Sequence, residues 1–206
     1  MNAPRPALPG FEAIRRSWSG EYQRFAAQIL PGEFYVTRDD ELITTLLGSC
    51  VAACIRDART GMGGMNHFML PEGSDGASTA WIERESTRYG DFAMEQLLNE
   101  LLKRGARRAD LEIKLAGGGH MYESNARVGD QNADFAIRYL EEEGLRVLAS
   151  DLGGAWPRRV RYLPREGSMR VTRLPPIVRQ RIVTREKTYR ATLDERSRGT
   201  GNVQFF

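Results

Sequence analysis

Two stretches of the chain carry apolar residues at the spacing of an α-helix. In residues 87–104 the apolar positions fall on one face, and Gly105 follows where a helix commonly ends. The same spacing recurs over residues 130–143, and Gly144 follows it. The two stripes consist of Phe92, Ala93, Leu97, Leu98, Leu101 and Leu102, and of Ala133, Ala136, Ile137 and Leu140. We therefore predict two main helices.

Short runs rich in β-branched and other apolar residues predict strands between and around these helices. The runs are residues 34–37, 50–57, 62–70, 111–116, 146–151, 158–163 and 168–173. Residues 58–61, Ala-Arg-Thr-Gly, have turn chemistry, so the second and third runs should pair as a β-hairpin. Because strands and helices do not alternate strictly, the pattern favours a mixed or antiparallel sheet with helices packed on it.

The same pattern predicts one folded domain with a distinct segment at either end. Residues 1–29 are interrupted by prolines and glycines, so we expect an irregular lead-in with at most a short helix around residues 11–29. The domain itself is expected over residues 30–175. Residues 176–206 have few apolar residues at a helical or strand period, so we expect a flexible tail or one that packs on a partner.

Residues 72–86 have the composition of a long loop, and loops of that length in compact domains often serve function. Trp81 and Ile82 lie in it among charged residues. They can line a cleft, or Trp81 can cap the core, and the sequence leaves both alternatives open.

Composition changes this picture mainly by locating the positive charge. The chain of 206 residues has a net charge of +3 and a pI near 9.0. Residues 176–206 hold seven basic and three acidic groups, so they carry +4 and the remainder carries −1. No zinc-finger spacing or RNP motif accompanies this charge, which disfavours specific nucleic-acid binding.

Other composition data exclude several classes of protein. A hydrophobic content of 41% in a chain of this length predicts a real core rather than a disordered protein. No apolar run approaches 18 residues, so no membrane insertion is expected, and the amino terminus lacks the apolar region of a secretory signal. With only two cysteines, the expected compartment is the cytosol, where thiols stay reduced.

Thiol and imidazole groups are scarce enough to consider one by one. If residues 50–57 form a strand, Cys50 and Cys54 lie roughly 13 Å apart, too far to share one zinc ion or a disulfide. A hairpin closed between Arg56 and Gly61 instead places Cys50 directly opposite His67, with Cβ atoms about 5 Å apart. A thiol and an imidazole at that separation can share a proton, as a nucleophile and its base do. The alternative is a small buried cysteine beside a structural histidine.

The remaining thiol and imidazole offer less. Cys54 is predicted to lie in the middle of a strand with no base opposite, and His120 adjoins three successive glycines. Both are expected to be structural.

The segments around Cys50 and His67 resemble the CheD family, the chemoreceptor glutamine deamidases of bacterial chemotaxis. The likeness rests on Thr-Thr-Leu-Leu-Gly-Ser-Cys-Val at 44–51 and Gly-Gly-Met-Asn-His-Phe-Met-Leu-Pro at 63–71, and it covers roughly residues 30–173. Further similar segments are residues 31–36, 88–94, 128–132 and 151–154. Residues 115–119, Leu-Ala-Gly-Gly-Gly, depart from the family, which usually has an aromatic residue before the glycines.

This resemblance implies a fold and a catalytic triad. The fold is a three-layer α/β sandwich with mixed sheets and two main helices, so residues 30–175 would be the catalytic domain. The triad maps onto Cys50, His67 and Thr44, with the adjacent Thr45 as the open alternative for its third member.

The resemblance also implies the chemistry and the partners. Glutamine side chains of chemoreceptors would become glutamate, through a cysteine thioester and with release of ammonia, and no cofactor or metal would be needed. Backbone N–H groups around Gly48, Ser49 and Cys50 are candidate oxyanion donors. A CheC-type phosphatase is a further expected partner. A non-catalytic adaptor that docks on receptors or on that phosphatase, and a different thiol hydrolase acting on the same receptors, are the alternatives.

Overall fold

The computed structural model describes residues 4–71, 79–121 and 126–199. Over these ranges the chain forms ten strands, three α-helices and a 3-10 helix at Arg108–Asp110. The strands are β1 (Arg15–Ser19), β2 (Arg24–Gln28), β3 (Phe34–Thr37), β4 (Leu42–Leu47), β5 (Val51–Asp57), β6 (Gly63–Asn66), β7 (Leu111–Gly117), β8 (Val147–Leu152), β9 (Arg158–Leu163) and β10 (Ser168–Arg173). The helices are α1 (Thr79–Lys103), α2 (Ala126–Glu142) and α3 (Pro176–Gly199).

The strands form two mixed sheets, and two of the helices cover one of them. The first sheet has the order β1-β2-β4-β9-β10 and the second the order β3-β6-β5-β7-β8. Helix α1 packs on β3, β5 and β6, and α2 packs on β5, β7 and β8. Strand β5 is almost wholly buried, as expected for a strand covered on both faces. The predicted α/β fold is therefore confirmed.

A single core cluster joins both sheets and the two helices. Its members include Ile43 and Tyr162 from the first sheet, Ile55 from the second and Leu97 from α1. Burying large side chains of this kind stabilises the fold by about 1.5–3 kcal/mol each. Among the described helices, none combines the length and the apolar content that a membrane span requires.

The amino-terminal segment differs from the expectation. Residues 15–28 form the antiparallel pair β1 and β2 rather than a short helix, and Trp18 lies opposite Phe25 in its register. Strand β2 then pairs in parallel with β4, and Ala27 is fully buried at that contact. Pairing with a distant strand thus decides the structure of a segment that is ambiguous on its own.

The long loop that was expected over residues 72–86 is partly helix. Helix α1 already begins at Thr79, whereas the apolar stripe predicted a start near residue 87. Residues 72–78, and the side chains of Trp81 and Ile82, lie outside the described residues, so the cleft-lining prediction for them is untested.

The carboxyl-terminal segment is a helix over residues 176–199, where a flexible tail was expected. Ile182, Val183 and Leu193 are buried on one side of α3. Glu186 is buried in the same row. The stripe alternates apolar with polar side chains, which hides its helical period in the sequence.

The β5–β6 hairpin has a register two residues away from the predicted one. Cys54 lies opposite Met65 and Arg56 opposite Gly63. The cause is Asp57, whose carboxylate accepts hydrogen bonds from the backbone N–H groups of Arg59 and Thr60. This moves the turn by one residue, so that the backbone of Asp57 bonds to that of Met62. A shift by two residues leaves every side chain on the same face of the sheet.

Candidate active site

Cys50 lies where the chain crosses from one sheet to the other. Strand β4 belongs to the first sheet and β5 to the second, and residues 48–50 form the short link between them. Cys50 is fully buried and directly precedes β5. The predicted nucleophile therefore lies at a bend between two rigid strands, a position that fixes its direction.

His67 follows directly after β6 and reaches the same point. In the observed register Cys50 and His67 are diagonal neighbours rather than direct partners, because Val51 pairs with Phe68. The Sγ atom of Cys50, a ring nitrogen of His67 and a carboxylate oxygen of Glu186 all lie within 4.8 Å of one another. The structure thus brings the predicted thiol and imidazole together.

Thr45 holds the far side of the imidazole. Its Oγ1 lies 2.8 Å from Nδ1 of His67 and 2.8 Å from the carbonyl oxygen of Ile29. A carbonyl only accepts, so the single hydroxyl proton goes to Ile29 and the hydroxyl oxygen accepts from Nδ1–H. This fixes the His67 tautomer, and the lone pair remains on Nε2. Among the described polar atoms, Nε2 is one of the few buried ones without a hydrogen-bond partner.

Thr44, the first choice for the third triad member, points elsewhere. Its Oγ1 donates a hydrogen bond of 2.8 Å to the carbonyl oxygen of Val160 in β9. Successive side chains of a strand face opposite sides of the sheet, so only one of the two threonines can reach His67. The structure assigns that contact to Thr45.

The thiol and the imidazole are both held in their neutral forms. Complete burial, together with the nearby positive charge of Arg185, lowers the pKa of His67 to about 3. Complete burial, followed by the negative charge of Glu186, raises the pKa of the Cys50 thiol well above its usual value. In this conformation the site holds a thiol and a free base rather than an ion pair.

Glu186 of α3 is the member of the site that sequence reasoning missed. Its Oε1 accepts from the backbone N–H groups of Gly48 at 2.7 Å and Cys50 at 3.3 Å. Its Oε2 accepts from the N–H of Ser49 at 3.0 Å and from the Ser49 hydroxyl at 2.8 Å. The three candidate oxyanion donors thus converge on one bound carboxylate. The helical spacing of Ile182, Glu186 and Leu193 indicates a shared helix face, but it does not identify the partner of Glu186.

The opposite side of the 48–50 link explains why its N–H groups all point one way. The carbonyl of Cys50 accepts from Gly118 N–H and that of Gly48 from Gly119 N–H, each at 2.8 Å. The carbonyl of Ser49 accepts from the Asn132 side chain at 2.9 Å. With all three carbonyls bound on one side, the three N–H groups face the other, toward His67 and α3.

One group of residues in the described part of the chain has the geometry to hold a metal ion, namely Cys50, His67 and Glu186. A carboxylate offers about four lone-pair positions, and four donors already occupy those of Glu186. Little capacity for metal coordination is left on this side chain. Cys54 is not part of the group.

Two further features are the second histidine of the chain, His120, and a cavity beside His67. His120 is partly exposed and bonds to Asp130 at 2.7 Å through Nε2. A cavity of about 450 Å³ adjoins the site, and its walls include His67 together with Phe92 of α1 and Tyr189 of α3. Open space therefore remains beside the imidazole between two helices.

Gly117 is expected to tolerate no side chain, because it lies against the nucleophile. Its φ is +123°, and a Cβ there would overlap the carbonyl oxygen of Cys50. Gly144 also has a positive φ, +64°, but no atom lies within 4 Å of its Cβ position. Gly144→Ala should therefore lower the free energy of unfolding by about 1 kcal/mol, and Gly117→Ala by about 3 kcal/mol or more. Urea unfolding measures both, and equal losses would contradict the close contact.

His67 should make the protein less stable as the pH falls. Its pKa in the folded state is about 3, below the value of 6.5 for a free imidazole, so the unfolded chain binds the proton more tightly. The neutral His67 side chain therefore contributes fully to the free energy of unfolding above pH 6.5. As the pH falls below 6.5, this contribution decreases by at most about 1.4 kcal/mol per pH unit. Urea unfolding between pH 7 and 4.5 should show a smaller decrease for His67→Gln than for the wild type. His120→Gln is the control, and a His67→Gln profile parallel to the wild type would contradict the buried neutral imidazole.

Comparisons with known proteins show which family the chain belongs to. The family model for CheD chemotactic sensory transduction matches residues 69–173. A protein of Halorhodospira halophila named probable chemoreceptor glutamine deamidase CheD is 49% identical over 208 residues, which cover 97% of this chain and 93% of that protein. Proteins with the same name from Hahella chejuensis and Janthinobacterium sp. (strain Marseille) are 40% and 48% identical, over 98% and 90% of this chain and 95% and 91% of their own lengths. Likeness of this degree over nearly the whole length shows that the chain belongs to the CheD family.

Proposed function

We propose that this protein is a protein-glutamine deamidase that converts glutamine side chains of chemoreceptors into glutamate and releases ammonia in the cytoplasm. The observation that carries the proposal is the convergence of three backbone N–H groups on a bound carboxylate beside the Cys50 thiol and the His67 imidazole. The names of the relatives, probable chemoreceptor glutamine deamidases, support the same reaction and substrate.

The first step is attack by the thiol. With its proton on Nδ1 and a lone pair on Nε2, His67 takes the proton of Cys50. The sulfur then forms a bond to the carboxamide carbon of the substrate glutamine. The resulting imidazolium donates its Nδ1–H to Thr45, whose oxygen is a weaker acceptor than the carboxylate of a serine-protease triad.

The second element is stabilisation of the oxyanion. As the carbon becomes tetrahedral, negative charge develops on the carboxamide oxygen. The N–H groups of Gly48, Ser49 and Cys50 are already oriented toward an anion, so they need no rearrangement when the charge appears. Removing one such donor typically costs an enzyme about 10²–10³-fold in rate.

The third step completes the reaction. His67 returns its proton to the nitrogen, the carbon–nitrogen bond breaks, and ammonia leaves behind a thioester on Cys50. Water, deprotonated by the same imidazole, attacks the thioester carbon and breaks the carbon–sulfur bond. The sum is one carboxamide and one water converted to one carboxylate and one ammonium ion, and the thiol is restored.

A non-catalytic adaptor is the competing function. The joint presence of a thiol, an oriented imidazole and converging N–H donors favours catalysis, because docking alone requires none of them. A CheC-type phosphatase as partner stays a prediction from the family resemblance. The experiment below separates the two functions, because an adaptor binds receptors without changing their mass.

Cys50→Ala should abolish the reaction. Incubation with receptor cytoplasmic fragments should raise the mass of particular glutamine-containing peptides by about 1 Da, and the variant should lose at least about 10³-fold in rate because no nucleophile remains. The buried Cys54 is the matched control, and Cys54→Ala should keep a rate near that of the wild type. Peptide mass spectrometry measures both. Full activity in Cys50→Ala would overturn the proposed mechanism.

Thr45→Val should lower the deamidation rate far more than Thr44→Val does. Each substitution removes one hydroxyl with a 2.8 Å hydrogen bond, but only Thr45 holds the His67 tautomer. We expect the deamidation rate to fall roughly 10–100-fold for Thr45→Val and less than about threefold for Thr44→Val. Equal activity of the two variants, with both folded by circular dichroism, would remove Thr45 from the mechanism.

A further inference from the structure

Helix α3 carries a carboxylate into the catalytic centre. Glu186 is 5% exposed although it lies on a helix that is otherwise rich in solvent-exposed charge. Its two oxygens accept four hydrogen bonds, all from residues 48–50. These are the donors that the proposed reaction needs for its oxyanion, so substrate and Glu186 cannot use them at the same time.

The chemistry of this side chain matches the proposed reaction closely. A glutamate side chain is the product of glutamine deamidation, and it differs from the substrate by one oxygen in place of the amide nitrogen. Glu186 is therefore a product-like group, presented on an α-helix, in contact with the groups that would form it. It takes no useful part in the first step, because its negative charge beside Cys50 disfavours the thiolate.

The helix is held on both sides of Glu186, so the contact belongs to a packed interface. Ile182 and Val183 are buried one turn before Glu186, and Leu193 is buried two turns after it. Tyr189 packs closely against Gly32: a Cβ atom added to Gly32 would lie only 2.5 Å from the hydroxyl oxygen of Tyr189.

Two further contacts show how closely α3 approaches the centre. A Cβ on Gly48 would lie 2.8 Å from a carboxylate oxygen of Glu186, so only glycine admits this approach. Near the start of the helix, the Arg179 guanidinium donates a 2.8 Å hydrogen bond to the carbonyl oxygen of His120.

We propose that α3 is an intramolecular product mimic, which occupies the substrate site through Glu186 and must leave before a substrate glutamine can bind. The inference rests on the proposed deamidase function and adds a form of regulation to it. The resting enzyme is closed by its own carboxyl-terminal helix. A substrate segment competes with α3 for the N–H groups of residues 48–50.

The substitution Glu186→Gln would turn the product mimic into a substrate. The new carboxamide would be presented to Cys50 on the same helix. The sulfur bonds to the carboxamide carbon, the carbon–nitrogen bond breaks as ammonia leaves, and water then cleaves the thioester to give a glutamate side chain and the free thiol. The variant would thus regenerate the wild-type Glu186.

The experiment uses the full-length chain with Glu186→Gln, alone and combined with Cys50→Ala. Peptide mapping by mass spectrometry should find glutamate at position 186 in the single variant, about 1 Da heavier than encoded, and glutamine in the double variant. Gln180 lies on the exposed side of the same helix and is the internal control that should stay glutamine in both.

The outcomes separate this inference from the proposed function. If the glutamine at position 186 persists in Glu186→Gln while the same preparation deamidates receptor fragments, α3 is not a product mimic and the deamidase function stands. If neither that glutamine nor any receptor glutamine is converted, both fail. Conversion in the Cys50→Ala background would also overturn the inference, because it would be spontaneous.

Kinetics with receptor fragments give a second measurement. An internal competitor reduces the fraction of binding-competent enzyme, so its removal should lower KM. We expect about a tenfold lower KM for Glu186→Ala and no change for the control Gln180→Ala. An unchanged KM in Glu186→Ala would show that Glu186 does not compete with substrate.

Discussion

The structure depends on how the chain satisfies three successive peptide groups at the crossover between the two sheets. Residues 48–50 belong to neither ladder at this point, yet they are buried, and buried backbone groups must find partners. Gly118, Gly119 and Asn132 take the three carbonyl groups from one side. The three N–H groups consequently point together to the other side, where they favour an acceptor that carries or develops negative charge. Fold and chemistry are thereby coupled at one bend.

The sequence predicts that a β-hairpin brings Cys50 and His67 together, but it predicts the wrong register for that hairpin. The observed four-residue turn lies one position later than the predicted one, because the Asp57 carboxylate accepts hydrogen bonds from the backbone of the turn. The error shifted the register by an even number, so Cys50 and His67 stayed on the same face. The choice between Thr44 and Thr45 was beyond the sequence, since Leu-Ile-Thr-Thr-Leu-Leu presents the same pattern to both faces.

The pattern of apolar residues did not predict helix α3, because its buried face is not uniformly apolar. Its stripe contains Ile182, Tyr189 and Leu193, but Glu186 interrupts it and charged residues surround it. The excess of positive charge in residues 176–206 indicates a solvated tail when the sequence is considered alone. Burial of a carboxylate is favourable only when several hydrogen-bond donors compensate for the loss of water. For Glu186 these donors belong to residues 48–50, about 136 residues earlier in the chain. No local pattern can report such a partner, whereas α1 and α2 were found because their stripes are continuous.

Burial beneath α3 also has a chemical consequence for the lifetime of the nucleophile. Oxidation of cysteine to sulfenic and higher acids follows thiolate character and exposure to solvent. In this conformation Cys50 is completely buried, and its pKa is raised well above the ordinary value. With α3 in this position, the sulfur of Cys50 is therefore neither accessible to peroxide nor ionised. We therefore expect the Cys50 thiol to resist irreversible oxidation as long as α3 covers it, and to become reactive toward peroxide if the helix leaves.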